Sequence, residues 1–313
     1  MQLRSPLLAT SLALAIASLA ACSSTQPPAA SAAPAPVAAA PAPAAAPITQ
    51  SNAAQAASAA YDFDMDVFHP VVGRSGMVAS EQELASRIGL QILKSGGNAV
   101  DAAVAMGFAL AVALPNAGNI GGGGFMVVHD AKSGKNIALD FREVAPSKAT
   151  RDMYVGADGK VIDGKSLYTH YAVGVPGTVA GMEHALKKWG SLPLSTVIAP
   201  AAKLADKGFT VSETLAKILE QEKKNMGQWP ATQAIFWRNG EPLKRGGRLV
   251  QKDLAQSLRL IGQQGSKVFY EGSIARKIAA EMAPHAGALS LQDLKSYKVA
   301  ERAPLRGTYR GYE

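Results

Sequence analysis

The chain has 313 residues, 48% of them apolar, with 32 Lys and Arg against 24 Asp and Glu, a net charge of +8 and one cysteine. That apolar share can bury a sizeable core and excludes a wholly disordered chain, while a single cysteine excludes an internal disulfide. Its basic runs, QEKKN (Gln221 to Asn225) and LKRGGR (Leu243 to Arg248), lack interleaved aromatics and read as solvated surface, which argues against a nucleic-acid partner.

Residues 1–21 combine one basic residue, Arg4, with an apolar run from Leu7 to Ala21. The run is too short to span a bilayer and has the pattern of a secretory signal. It ends in LAAC, Leu19 to Cys22, which resembles the lipobox of bacterial lipoproteins and marks Cys22 for lipid attachment. Ser23 after it favours the outer membrane in that class, so the expectation is an exported protein held by a lipid at the periplasmic face. An ordinary signal with a coincidental cysteine is the alternative. Residues 22–61 are rich in Ala and Pro and carry no charge, a composition that forms no packed core and reads as a disordered tether. Residues 62–313 are expected to form the folded domain.

Within it, SEQELASRIGLQILKSGG predicts a helix opened by a Ser80/Glu83 capping box, with Leu84, Ile88 and Ile92 on one stripe and a stop at Gly96-Gly97. NAVDAAVAMGFALAVALP is small and apolar almost all round, the pattern of a buried helix ended by Pro115. FMVVHD and NIALDFRE, joined by AKSGK, predict a hairpin buried on both faces, and with the buried helix they point to a layered α/β sandwich. Further helices are expected over Thr178 to Trp189, Leu194 to Lys207 with a kink at Pro200, Ser212 to Asn225, Asp253 to Gln264 and Ile274 to Met282. AIFW reads as a short strand, and APLRGTYRGYE as a strand-like end.

GKVIDGKS, Gly159 to Ser166, matches the phosphate-loop spelling G-x-x-x-x-G-K-[ST]. A turn-rich stretch precedes it, and Gly174 and Pro176 leave no room for a useful helix after it, so it is a decoy. GNIGGGGF feeds a strand and reads as glycine for close backbone approach. His69, His129, His170, His184 and His285 are scattered, with no cysteine companion and no H-E-x-x-H spacing, so no metal is expected, nor is another cofactor. No G-x-S-x-G elbow is present.

One ordered series of motifs stands out: GMVAS (Gly76 to Ser80), ILKSGGNAVDAAVA (Ile92 to Ala105), AGNIGGGGF (Ala117 to Phe125), DFREVAP (Asp140 to Pro146), GVPGTVAG (Gly174 to Gly181), FYEG (Phe269 to Gly272) and YRGYE (Tyr309 to Glu313). Together they resemble the large subunit of γ-glutamyltransferase, also called γ-glutamyl transpeptidase or glutathione hydrolase. The resemblance implies an α/β (α+β) fold, the αββα sandwich of the N-terminal-nucleophile class, of which this stretch is the large-subunit part. It implies a γ-glutamyl substrate such as glutathione, and a threonine at the start of a small subunit that attacks the γ-glutamyl amide. The glutamyl group then passes to water, an amino acid or a peptide. A hydroxyl needs a base to take its proton, and a terminal threonine carries its own amine for that purpose.

One functional position transfers cleanly: Arg142 of DFRE matches the family arginine that grips the substrate's α-carboxylate, with Glu143 as its orienter. A guanidinium stays charged and pairs bidentately with a carboxylate. The alternative for Arg142 is an arginine at a strand end bonded to a neighbouring acid such as Asp140 or Glu143. The family's Thr-Thr-His nucleophile motif is not among the 313 residues. The resemblance therefore implies a small-subunit partner, no catalytic nucleophile here, and no activity for this stretch by itself. YTHYAV, Tyr168 to Val173, imitates that motif but has Tyr168 in the nucleophile's place, and Thr178 reads as a helix start. Two alternatives stay open: a cephalosporin-acylase-like member of the superfamily, and a non-catalytic binding lipoprotein that keeps half the fold.

Overall fold

The computed structural model describes residues 72–312. The signal, the Cys22 anchor, the tether and His69 lie outside the described residues.

Two helices open the described chain, α1 (Glu83–Lys94) and α2 (Ala99–Ala113). The N-cap of α1 is Gln82, whose Oε1 accepts from the Leu84 N–H at 2.6 Å, so the expected Ser80/Glu83 box does not form. Ser80 Oγ instead donates to the Gln82 carbonyl, and Glu83 pairs with Arg87 one turn on. Asn98 and Asp101 form a true capping box on α2. Apart from Ala103 and Leu110, every apolar position from Ala102 to Ala113 is buried, in keeping with its nearly all-round apolar sequence.

The hairpin follows as β1 (Phe125–Asp130) and β2 (Lys135–Asp140), in register from Phe125↔Asp140 to Asp130↔Lys135. Then come α3 (Lys165–Tyr168), a single 3-10 turn (His170–Ala172), α4 (Thr178–Trp189) and α5 (Leu194–Lys207), which runs unbroken through Pro200. After β3 (Phe209–Thr210), the expected helix over 212–225 divides at Glu222 into α6 (Glu213–Gln221) and α7 (Lys223–Met226). Pro230 starts α8 (Pro230–Phe236), so most of AIFW is helical: proline at the first helical position has its φ preset and no N–H to waste. Only Trp237 of that run enters a strand, β4 (Trp237–Arg238), which pairs with β5 (Glu241–Pro242). The remaining elements are β6 (Arg248–Leu249), α9 (Lys252–Gln264), α10 (Lys267–Tyr270), α11 (Ser273–Met282), α12 (Leu291–Ser296) and β7 (Ala300–Arg302). The expected strand over APLRGTYRGYE does not form among the described residues: β7 ends at Arg302, just ahead of that run, and Pro304 brings no N–H donor to a ladder. Residues 309–312 close a tight turn, with Gly311 at φ 85.

The main sheet is antiparallel in the order β1-β2-β7. Glu301 of β7 is tied to α4 by His184 and Lys188. Val128 and Leu139 are buried on one face of the sheet, where α4 packs against β2. On the other face Phe125 is 65% exposed and Val127 70%. The hairpin is thus buried on one face among the described residues, not two. Behind α2 lie α5 and α9, which supply Val197, Ile198, Ala201, Leu258 and Ile261 to the core.

Asp101 joins these layers. Fully buried, it accepts from the Asn98, Ser191 and Leu192 N–H groups and the Ser191 hydroxyl. Burial opposes its charge, but these donors prevail and hold the carboxyl below its ordinary pKa. Asp101→Ala would strand three backbone donors, and chemical denaturation should show a loss of about 3 kcal/mol.

Candidate functional site

The site grows from the end of β2. Past Asp140 the ladder continues through Phe141, which exchanges both hydrogen bonds with Gly124 (3.0 and 3.2 Å). Gly123 lies flat against the next residues: a Cβ there would stand 2.5 Å from the Phe141 carbonyl oxygen and 2.7 Å from the Glu143 nitrogen. The glycine run therefore brings its backbone onto DFRE. Asn119 Oδ1 accepts from the Gly122 N–H and the Thr178 hydroxyl, and the Gly122 carbonyl accepts from the Gly177 and Thr178 N–H groups. Gly177 and Gly181 have no room for a Cβ beside Phe141. Three of the sequence motifs are in this way one packed unit.

Arg142 sits at the centre of that unit with its main chain held on both sides. Its N–H donates to Asp140 Oδ1 at 3.0 Å, and its carbonyl accepts from the Tyr297 hydroxyl at 2.9 Å. Asp140 is in turn fixed by Arg302 Nε at 2.8 Å. The hydrogen bonds from Arg142 and Arg302, with the charges of both arginines, keep the Asp140 carboxyl below its ordinary range. Tyr297 stacks on Tyr270 of FYEG at 5.7 Å, and Tyr270 donates to the Pro176 carbonyl. Burial, reinforced by the Asp140 and Glu143 charges, pushes the Tyr297 hydroxyl up to about 12, so it remains a donor at any physiological pH.

The Arg142 side chain itself is 67% exposed. Its Nε lies 3.0 Å from Glu143 Oε2, a buried oxygen that accepts no well-aligned hydrogen bond. Arg142 borders a cavity of about 550 Å³, walled by Glu143, Val144, Pro146, Tyr154 and Tyr171. A ladder pair between Val144 and Val175 brings GVPG to its rim. Of the strand-end alternatives, the neighbouring acids do take up Arg142, but Asp140 takes only its backbone N–H and Glu143 only its Nε. Arg142 also lines the cavity, and a guanidinium fork is suited to a carboxylate.

The decoys resolve in the same detail. No strand leads into Gly159, and the helix that starts at Lys165 is a single turn. Thr169 of YTHYAV spends its hydroxyl on the Lys165 carbonyl and on the Tyr171 N–H. Thr178 is the first residue of α4, buried against Asn119. The histidines do not all stay scattered: His170 and His285 stack at 4.1 Å, with Glu281 against both. Sequence reasoning also missed Tyr297 and Asn119, which act through partners 155 and 59 residues away.

A family model described as Gamma-glutamyltranspeptidase matches residues 85–313. The chain belongs to the γ-glutamyltranspeptidase family. It is 50% identical over 262 residues to the glutathione hydrolase proenzyme of Escherichia coli (strain K12), covering 83% of this chain and 45% of that protein. The chain thus spans less than half the length of this curated relative. Among solved structures it is similar to Helicobacter pylori γ-glutamyltranspeptidase, with a TM-score of 0.76, 45% identity, and coverage of 78% and 70% of the two chains. It also resembles cephalosporin acylase from Bacillus halodurans, with a TM-score of 0.69, 30% identity, and coverage of 79% and 48%. The fold is that of the N-terminal-nucleophile γ-glutamyltranspeptidases, of which the described residues form one helical layer and part of a sheet.

Two outcomes test this framework. Tyr297→Phe removes the donor to the Arg142 carbonyl and should lower stability by about 1 kcal/mol in urea unfolding. Asp293 fixes the loop behind the cavity, accepting from the Ser147 N–H at 2.8 Å and from Ser290. Burial raises its pKa, but the Ser290 and Ser147 donors outweigh burial and hold it at about 2. A depressed folded-state pKa stabilises above the unfolded value of about 3.9 and loses that contribution as pH falls towards the folded value. Stability measured by denaturation should therefore drop between about pH 4 and pH 2, and drop less in Asp293→Asn.

Proposed function

We propose that this chain is the large-subunit portion of a γ-glutamyltransferase that cleaves γ-glutamyl amides such as glutathione, with Arg142 holding the α-carboxylate of the donor. The observation that carries this reading is the Arg142 guanidinium. Its backbone is clamped and its Nε lies 3.0 Å from Glu143, and the residue lines a cavity. A fork fixed in advance loses little side-chain freedom when a carboxylate docks, so it can contribute both affinity and register. Glu143 acts as a positioning residue, because its charge attracts the guanidinium at Nε.

In this reading the nucleophilic threonine comes from a small-subunit segment, which forms an acyl-enzyme that water or an amino acid then resolves. The exposed apolar row on β1, Phe125 and Val127, supports such a partner, since a second sheet laid over it would bury both side chains. The signal pattern and Cys22 extend the proposal to an exported protein anchored by lipid at the periplasmic face.

The test uses the protein assembled with its small subunit and a chromogenic γ-glutamyl anilide as donor. Arg142→Ala should raise KM on the order of 100-fold, equivalent to about 2.8 kcal/mol of carboxylate binding, with a much smaller change in kcat. Arg142→Lys should recover only part of the loss, because an ammonium cannot supply the fork. A wild-type KM in Arg142→Ala would refute the assignment.

A further inference from the structure

His170, Glu281 and His285 have no place in the site described above, yet two distant pieces of chain bring them to one point. His170 stands on the 3-10 turn after α3, Glu281 on the last turn of α11, and His285 on the loop beyond it. Their ligand atoms all lie within 4.8 Å of one another. His170 Nε2 is 3.3 Å from Glu281 Oε1, and His285 Nε2 is 3.5 Å from the same oxygen. The ligand atoms of a tetrahedral ion with bonds of about 2.0–2.1 Å are separated by roughly 3.3–3.5 Å, so two sides of this triangle already have the required length.

We propose that His170, Glu281 and His285 form a binding site for a divalent transition cation of the zinc class. Two imidazoles and one carboxylate are a borderline donor set, suited to zinc, nickel or copper and poorly suited to magnesium or calcium, which prefer all-oxygen shells. The two rings stack at 12° to each other, so one must tilt to aim its lone pair at a shared ion. His285 is the ring free to do so, being 43% exposed on a loop, whereas His170 is 13% exposed and fixed. A cavity of about 690 Å³ opens beside the cluster and leaves room for a water as fourth ligand. Trp229 stands edge-on to both rings, at 5.2 and 6.1 Å, and closes one side.

The position gives such an ion a structural consequence. The turn that carries His170 continues into Tyr171 and Val173, which line the Arg142 cavity, while His170 and Thr169 line the cavity on its other side. A bound cation would fasten this dividing wall to the end of α11.

The experiment takes the full, tag-free chain, strips it with chelator and titrates it with zinc chloride by calorimetry, with melting temperature as a second readout. The expected result is one strong site and a raised Tm at saturating zinc, as mass action requires of an ion that binds the folded state. His285→Ala, His170→Gln and Glu281→Gln should each weaken that site by at least about tenfold and abolish the Tm shift, with far-UV circular dichroism confirming that each variant is folded. His129→Ala should leave both readouts unchanged, and millimolar magnesium should not compete. Zinc binding that persists unchanged in the three folded variants, or a folded wild-type chain that takes up no zinc, would overturn the proposal.

Discussion

The structure depends on how firmly the main chain is held at one residue. Arg142 cannot slide along β2, because Asp140 takes its N–H from one side and Tyr297 grips its carbonyl from the other. Each of those two groups is itself secured, Asp140 by Arg302 of β7 and Tyr297 by its stack on Tyr270. A long cationic side chain normally samples many rotamers, and much of the free energy of ion pairing is lost in ordering it. Here the backbone is ordered by the fold and Nε is paired with Glu143, so less freedom is left to lose on binding.

The glycines make that arrangement sterically possible. Gly123 allows the segment before β1 to run against residues 141–143, and Gly177 and Gly181 let α4 approach Phe141 without a side chain between them. Replacing any of them would push apart the pieces that fix the geometry of the guanidinium. The Asn119 side-chain oxygen, accepting from the Gly122 N–H and the Thr178 hydroxyl, then binds the glycine turn to the start of α4, so the site is framed by the same contacts that close the core.

Much of this was legible in the sequence, and the failures have physical causes. Helices with one apolar stripe or an all-apolar surface were readable because 3.6-residue periodicity is local; α1, α2, α4 and α5 fall within a residue or two of their expected bounds. Arg142 and Glu143 were readable through the DFRE motif, and they line one cavity. The hairpin was placed correctly in the chain, but not its exposed face, since alternation reports which side chains share a face and not what covers it. The cap of α1 shifted because a glutamine amide at 82 reached the Leu84 N–H first. Tyr297 and the His170–Glu281–His285 cluster were out of reach because sequence spacing carries no record of contacts more than a hundred residues apart.

The most direct measurement of the central claim is a structure of the assembled protein with L-glutamate bound. The account predicts the α-carboxylate within hydrogen-bond distance of both terminal nitrogens of Arg142, with Nε still on Glu143 and the backbone at 142 unmoved. Glutamate seated with its α-carboxylate on other donors, while the Arg142 side chain lies turned away from the cavity, would contradict it.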